Sequence, residues 1–119
     1  MILIIEDDND VRELFNSLFR HYNIKLVVVP NSNGLIELVI EMKPEIIMID
    51  VLLGIEDGRD ICTEIKTKFP EIPVILLSAS PILLLNHAKC GADDIIEKPF
   101  DIDHFKKKID YWIYKAKQS

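Results

Sequence analysis

Five side chains that could do chemistry together stand just beyond the ends of short apolar runs of the sequence. They are, in chain order, Glu6, Asp7, Asp50, Ser78 and Lys98, after the runs 2–5, 46–49, 74–77 and 95–96. Carboxylates can hold a divalent cation or act as a nucleophile, and a lysine with a hydroxyl can bind an anionic group. Each residue alone has a simpler explanation, such as a turn residue, a hydroxyl bonded to nearby backbone, or an exposed lysine. The five residues together indicate a functional site more specifically than any one of them does alone.

These side chains can act together only if the fold brings them to one place, and the apolar pattern predicts such a fold. Apolar runs at 2–5, 24–29, 46–49, 74–77 and 95–96 suit strands buried on both faces. Helical spacings fall between them, at 11–22, 35–42, 61–69 and 102–113, with a further helix predicted at 82–90. The alternation predicts an α/β fold: a doubly wound five-stranded parallel sheet, (βα)5, with the flavodoxin-like strand order 2-1-3-4-5. Ligands of such sheets bind beyond the carboxyl ends of the strands, where the first and third strands are neighbours.

Residues that favour helix ends agree with this order. Asp8, Ser32, Asp57 and Asp101 are predicted N-caps, and Gly91 stands where the fourth helix should end.

Composition limits the function classes. The 119 residues carry a net charge of −6, which argues against binding to nucleic acid or to an anionic membrane. No apolar run approaches the ~20 residues of a membrane helix, and no signal peptide is evident. We therefore expect one cytoplasmic domain over 1–119. Cys62 and Cys90 form no CxxC motif and are most simply small core residues.

The chemistry of the set follows from its residue types. Glu6, Asp7 and Asp50, with a backbone carbonyl or waters, make an oxygen site suited to Mg²⁺, which would relieve their mutual repulsion. With a cation present, a carboxylate could attack phosphorus and form an acyl phosphate. Lys98 and Ser78 could then bind the phosphoryl oxygens.

Four segments in this order resemble the receiver domain of two-component response regulators. They are ILIIEDDNDVREL, PEIIMIDVLLGIEDG, IPVILLSAS and GADDIIEKPF, and the resemblance covers essentially the whole chain. It implies a signalling domain rather than a conventional enzyme, which catalyses only its own phosphotransfer and dephosphorylation. A sensor histidine kinase or a phosphotransfer protein would supply the phosphoryl group.

The resemblance also implies a role for each site residue. Asp50 matches the phosphoacceptor, Glu6 and Asp7 the acidic pair that holds Mg²⁺, and the backbone carbonyl of Leu52 a further ligand. Ser78 and Lys98 match the hydroxyl and the lysine that contact the phosphoryl group. The Lys98–Pro99 peptide bond is expected to be cis.

Three departures from the family pattern bear on the switch. Ile95 stands at the switch position, where the family usually has Tyr or Phe, and Gly54 replaces a proline, which predicts a more mobile loop. The third is the apolar run 82–85 in a shortened fourth crossover. It predicts either a short, distorted helix with mostly buried side chains, or an apolar patch on the 82–113 face for a second copy or a protein partner.

Three other functions compete with a phosphorylated receiver. A haloacid-dehalogenase type hydrolase needs a second Asp where Leu52 stands, and a flavin-binding domain would not place three carboxylates near a phosphate. A pseudo-receiver, which binds partners without phosphorylation, remains the main alternative because of Ile95.

Overall fold

The computed structural model describes residues 1–118, which form a five-stranded parallel sheet between two layers of helices. The sheet strands are β1 (Ile2–Ile5), β2 (Leu26–Val29), β3 (Ile46–Asp50), β6 (Val74–Ser78) and β7 (Asp94–Glu97). The helices are α1 (Asn9–His21), α2 (Leu35–Met42), α3 (Gly58–Lys68), α4 (Pro81–Leu84) and α5 (Ile102–Lys117). A 3-10 helix, His87–Cys90, follows α4.

The sheet order is β2-β1-β3-β6-β7, which confirms the predicted order 2-1-3-4-5 for the five long strands. Two further strands, β4 (Leu52–Leu53) and β5 (Glu56–Asp57), form a small antiparallel ribbon directly after β3. The sequence did not predict this ribbon, because two-residue strands carry no periodic apolar signal.

Alternate residues of the central strands face opposite layers of helices, which explains the unbroken apolar runs. On one face Leu3 and Ile47 pack with side chains of α2 and α3, such as Val39 and Ile65. On the other face the core includes aromatic rings of α1 and α5, and the rings of Phe15 and Phe105 are 5.7 Å apart.

Three of the four predicted N-caps are confirmed. The carboxylates of Asp8, Asp57 and Asp101 each accept backbone N–H groups of the first turn of α1, α3 and α5. The prediction for Ser32 is wrong, since the N-cap of α2 is Gly34, and the Ser32 hydroxyl instead donates to Glu56.

The segment 82–90, predicted to hold the fourth helix, is divided into two short pieces. Helix α4 ends at Leu84, because Leu85 takes an extended backbone with ψ of 143°, and Asn86 then has a left-handed backbone with φ of 59° before the 3-10 helix. The apolar run is divided: Leu84 is 2% exposed, whereas Ile82 is 75% and Leu85 66% exposed. The short, distorted helix is therefore confirmed, but the expectation of mostly buried side chains fails for Ile82 and Leu85.

The loop that contains Gly54 is held in the β4–β5 ribbon. Gly54 takes a left-handed backbone with φ of 59°. Glu56 of the ribbon accepts the backbone N–H of Ser32 at 3.1 Å, as well as the hydroxyl of that residue. This contact ties the ribbon to the loop after β2. That the loop is more mobile than usual stays a prediction.

Candidate functional site

Three carboxylates converge at the carboxyl ends of β1 and β3. Ile5 and Ile49 are register partners on these neighbouring strands, so the next residues, Glu6 and Asp50, emerge side by side. One carboxylate oxygen from each of Glu6, Asp7 and Asp50 lies within 4.8 Å of the others. Glu6 and Asp50 are buried, and Asp7 is exposed. The site thus has an open side at Asp7 and a buried floor.

Lys98 joins this cluster from the end of β7. Its Nζ lies 2.8 Å from Oε2 of Glu6 and 2.6 Å from Oδ2 of Asp50. The predicted cis peptide bond between Lys98 and Pro99 is confirmed. The ammonium group therefore bridges the two buried carboxylates, 92 and 48 residues away along the sequence.

The electrostatics of the cluster favour an additional positive charge. Burial, followed by hydrogen bonding with Asp50, raises the pKa of Glu6 to about 7, although Lys98 opposes the change. Burial alone would lower the pKa of Lys98, but its hydrogen bonds to the two carboxylates outweigh burial and raise it. One lysine thus offsets only part of the repulsion among three acids. Oxygen donors of this kind suit a hard divalent cation, and the three carboxylates fit such an ion.

Leu52 borders the site through the β4–β5 ribbon. Its backbone N–H donates to Oδ1 of Asp50 at 3.2 Å, which orients the carboxylate, and its side chain is 63% exposed. The role of its backbone carbonyl as a metal ligand stays a prediction.

Ser78 is the last residue of β6, the strand next to β3. Asp50 is in register with Leu77, so Ser78 lies one residue further along at the same sheet edge. The side chain is buried, and its hydroxyl accepts the backbone N–H of Ser80 at 3.1 Å. The structure therefore places a buried hydroxyl beside the carboxylate cluster.

Ile95, the predicted switch position, lies on β7 in register with Leu76 of β6. It is half-buried and packs against the core on the α2–α3 side of the sheet. Its backbone carbonyl accepts a hydrogen bond from Nζ of Lys108 at 2.6 Å. Its side chain thus packs into the core, while its backbone carbonyl is held by a lysine of α5, and no aromatic ring is available to rotate there.

Two further residues support the site. The guanidinium of Arg12 donates to the backbone carbonyls of Glu6 and Asp7, both at 3.2 Å, and so fixes the acidic loop. A Cβ atom on Gly58 would lie 2.1 Å from the carbonyl oxygen of Asp50, so α3 can begin there only with glycine. Arg12 was not singled out from the sequence, although its position in the first turns of α1 offered a signal. Gly58 ends the segment PEIIMIDVLLGIEDG, where the resemblance implies the loop that leads into the third helix, but its close approach to Asp50 depends on the tertiary fold.

Fold and site together define a receiver domain, and comparison with known proteins agrees. A family model of the response regulator receiver domain matches residues 2–110. The chain therefore belongs to the response regulator receiver domain family. Receiver domains of this family are signalling domains that act with histidine kinases, not conventional enzymes.

Solved structures of receiver domains superpose closely on the chain. The receiver domain of a signal transduction histidine kinase from Syntrophus aciditrophicus is 27% identical, with a TM-score of 0.87 over 99% of this chain and 92% of that chain. The receiver domain of NtrX from Brucella abortus is 24% identical, with a TM-score of 0.87 over 96% of this chain and 98% of that chain. Against a longer NtrX structure from the same organism, this chain spans 27% of the chain it matches, at 24% identity and a TM-score of 0.87.

Within the described residues, no helix has the length and apolar character that crossing a membrane requires.

Proposed function

We propose that this receiver domain accepts a phosphoryl group on Asp50 from a sensor histidine kinase or a phosphotransfer protein. The observation that carries the proposal is the position of Lys98, whose Nζ contacts the buried carboxylates of both Glu6 and Asp50. A lysine placed so close to a nucleophilic carboxylate can also stabilise the negative charge on the oxygens of an incoming phosphoryl group.

In the proposed reaction, a carboxylate oxygen of Asp50 attacks phosphorus, and the bond between phosphorus and the donor histidine breaks. The electron pair of that bond stays on the histidine nitrogen, and an acyl phosphate forms on Asp50. The Leu52 N–H holds Oδ1 of Asp50, which orients the carboxylate for attack. The ammonium group of Lys98 and the hydroxyl of Ser78 bind the phosphoryl oxygens. Hydrolysis of the acyl phosphate by water at the same site would return the domain to its starting state.

We propose Mg²⁺ as the cofactor, held by Glu6, Asp7, Asp50 and the backbone carbonyl of Leu52. The carboxylate oxygens that lie within 4.8 Å of one another support this assignment. The ion would neutralise charge that develops on the phosphoryl oxygens.

Phosphorylation would then alter partner binding on the 82–113 face. Ile82 and Leu85 expose apolar side chains there, within the segment that joins Ser78 to β7. A second copy of the chain or a protein partner would bind this face, and we propose no nucleic-acid or membrane partner. We further propose that 1–119 form a single cytoplasmic receiver domain.

A pseudo-receiver that binds partners without phosphorylation is the second candidate. The observation that favours it is Ile95, which lacks the ring that usually couples the site to the partner face.

Labelling with acetyl phosphate distinguishes the two candidates. The purified domain is incubated with this donor, with and without Mg²⁺, and its intact mass is measured. Wild type should gain one phosphoryl group only with Mg²⁺, and Asp50→Asn should gain none. Glu56→Gln, which changes a carboxylate outside the cluster, is a matched control and should still be labelled. If a folded wild type is labelled neither by acetyl phosphate nor by a phosphorylated histidine kinase, the pseudo-receiver is correct.

A further inference from the structure

The two cysteines meet where α3 packs against the 3-10 helix, although they lie 28 residues apart in the sequence. Sγ of Cys62 donates to the backbone carbonyl of Cys90 at 3.3 Å. Sγ of Cys90 donates to the carbonyl of His87 at 3.1 Å. A sulfur atom this close to the backbone of Cys90 is within reach of the side chain of the same residue, since disulfides join Cβ atoms about 3.8 Å apart.

The surroundings of the two thiols differ. Cys62 is completely buried, and Cys90 is half-buried. Burial, and then the hydrogen bond with the Cys90 side chain, raises the pKa of the Cys62 thiol. The two residues share one helix interface, through the contact of the Cys62 sulfur with the Cys90 carbonyl. Cys90 is therefore the thiol that a reagent meets first, and Cys62 stands behind it.

A groove gives access to Cys90. It has a volume of about 470 Å³, and Cys90 lines it together with Arg59, Lys89, Ile82 and Leu85. The charges around the groove are mixed, because Asp60 lines it as well and the guanidinium of Arg59 is paired with Asp57 at 2.7 Å. The groove therefore gives a small molecule access to the thiol through its size rather than through its charge.

We propose that Cys62 and Cys90 form an oxidisable dithiol, which a small disulfide of the glutathione type converts into an intramolecular disulfide. This inference does not depend on the proposed phosphorylation, since neither cysteine belongs to the carboxylate cluster.

The reaction has two exchange steps. The thiolate of Cys90 attacks one sulfur of the small disulfide, the sulfur–sulfur bond breaks, and one small thiolate leaves and takes up a proton. Cys62 then gives its proton to water and attacks the Cys90 sulfur, and the second small thiolate leaves. Two protein thiols are oxidised, and one small disulfide is reduced to two thiols. Because burial disfavours the Cys62 thiolate, the second step should be slower than the first.

The crosslink would join the 3-10 helix to α3 and close a long loop of the unfolded chain. Loop closure of this length restricts the unfolded state and should raise Tm by roughly 10 °C.

Oxidised glutathione is the probe that tests the proposal. The folded chain is incubated with it, alkylated without reduction, and digested with trypsin. We expect the peptide 60–66 to be recovered linked to the peptide that begins at Cys90, after transient glutathione addition at Cys90. Reduction should remove the linked species and return Tm to its value before oxidation.

Two variants assign the order of the steps. Cys90→Ser should block all reaction of the folded chain, and Cys62→Ser should stop at a stable glutathione adduct on Cys90. Since Cys62 is buried, circular dichroism checks that its variant folds; the linked peptides of the wild type are decisive in either case. A stable adduct on wild-type Cys90, a disulfide between two chains, or no reaction of the folded wild type would each overturn the proposal.

Discussion

Gly58 lies against the end of the strand that carries Asp50, and replacing it with alanine should distort the site. The added Cβ would lie 2.1 Å from the carbonyl oxygen of Asp50 and 2.9 Å from Cγ2 of Ile49. The Gly58 N–H also donates to the carbonyl of Val51 at 2.7 Å, so α3 cannot move away without losing this bond. Both the strand end and the helix start would have to shift.

The size of the effect follows from that distance. A carbon atom 2.1 Å from an oxygen is more than 1 Å inside ordinary contact distance, and its neighbour is backbone rather than a flexible side chain. Overpacking against movable side chains costs about 1–3 kcal/mol, so we expect Gly58→Ala to lose about 3 kcal/mol or more. For a chain of this size, such a loss lowers Tm by roughly 10 °C.

Gly34 offers a matched control. It also begins a helix, but a Cβ there meets nothing within 4 Å, and its cost comes only from the left-handed φ of 67°. We expect Gly34→Ala to lose about 1–2 kcal/mol. Urea denaturation followed by circular dichroism gives both values. The steric reasoning is refuted if Gly58→Ala is less destabilised than Gly34→Ala, or if it takes up the phosphoryl group of acetyl phosphate as fast as wild type.

Three further predictions concern charged groups. Lys98→Gln leaves two buried carboxylates without their cation, so it should lower the free energy of unfolding by about 3 kcal/mol. Adding Mg²⁺ should recover part of this loss. Urea denaturation with and without the ion measures both effects. Burial alone would raise the pKa of Asp94, but hydrogen bonds from its neighbours, including Trp112, lower it. Its stabilising effect is therefore complete above the unfolded pKa of about 4 and is lost as pH falls through the folded pKa. Asp94→Asn should therefore reduce the loss of stability at acid pH. The fluorescence of Trp112, the only tryptophan in the sequence, reports the unfolding. Glu56→Ala removes the acceptor of Ser32 and should speed hydrogen exchange in the β4–β5 ribbon about tenfold.

Each of these has a result that contradicts it. A Lys98 variant as stable as wild type without Mg²⁺ would mean that the carboxylates are neutral or hydrated. If the Asp94 variant loses as much stability at acid pH as wild type does, this carboxylate gains nothing from its partners on folding. Unchanged exchange rates in the Glu56 variant would show that the ribbon is held by other contacts.

The sheet and the position of the carboxylate cluster could be predicted from the sequence, because they depend on strong local signals. Unbroken apolar runs, such as Ile46, Ile47 and Met48, are typical of a strand that is buried on both faces. Once the strand order follows, the residues after each strand must meet at one edge. The convergence of Glu6 and Asp50 is a consequence of parallel register, not of any motif between them.

Features that depend on tertiary contacts could not be predicted. Ser32 is a residue type that favours the N-cap position, but its hydroxyl donates to Glu56 of a distant ribbon, and the N-cap of α2 is Gly34, two residues later. The burial of each side chain in the fourth crossover could not be predicted, because the side chains of an apolar run that face the core depend on the neighbouring elements. Leu84 is buried in the core, Leu83 packs partly against it, and the extended backbone of Leu85 ends the helix.

The break after Leu84 has a consequence for the energetics of signalling. A helix of four residues contains a single turn, so it has almost none of the cooperative hydrogen bonding that makes longer helices resist partial unfolding. The position of α4 therefore depends on the burial of Leu84 and the partial burial of Leu83 rather than on its own backbone. This crossover, which joins Ser78 to the strand of Ile95, is expected to be the least protected foldon of the domain. A rearrangement that starts at Ser78 would reach the 82–113 face by repacking these two side chains, without the free-energy cost of melting a longer helix.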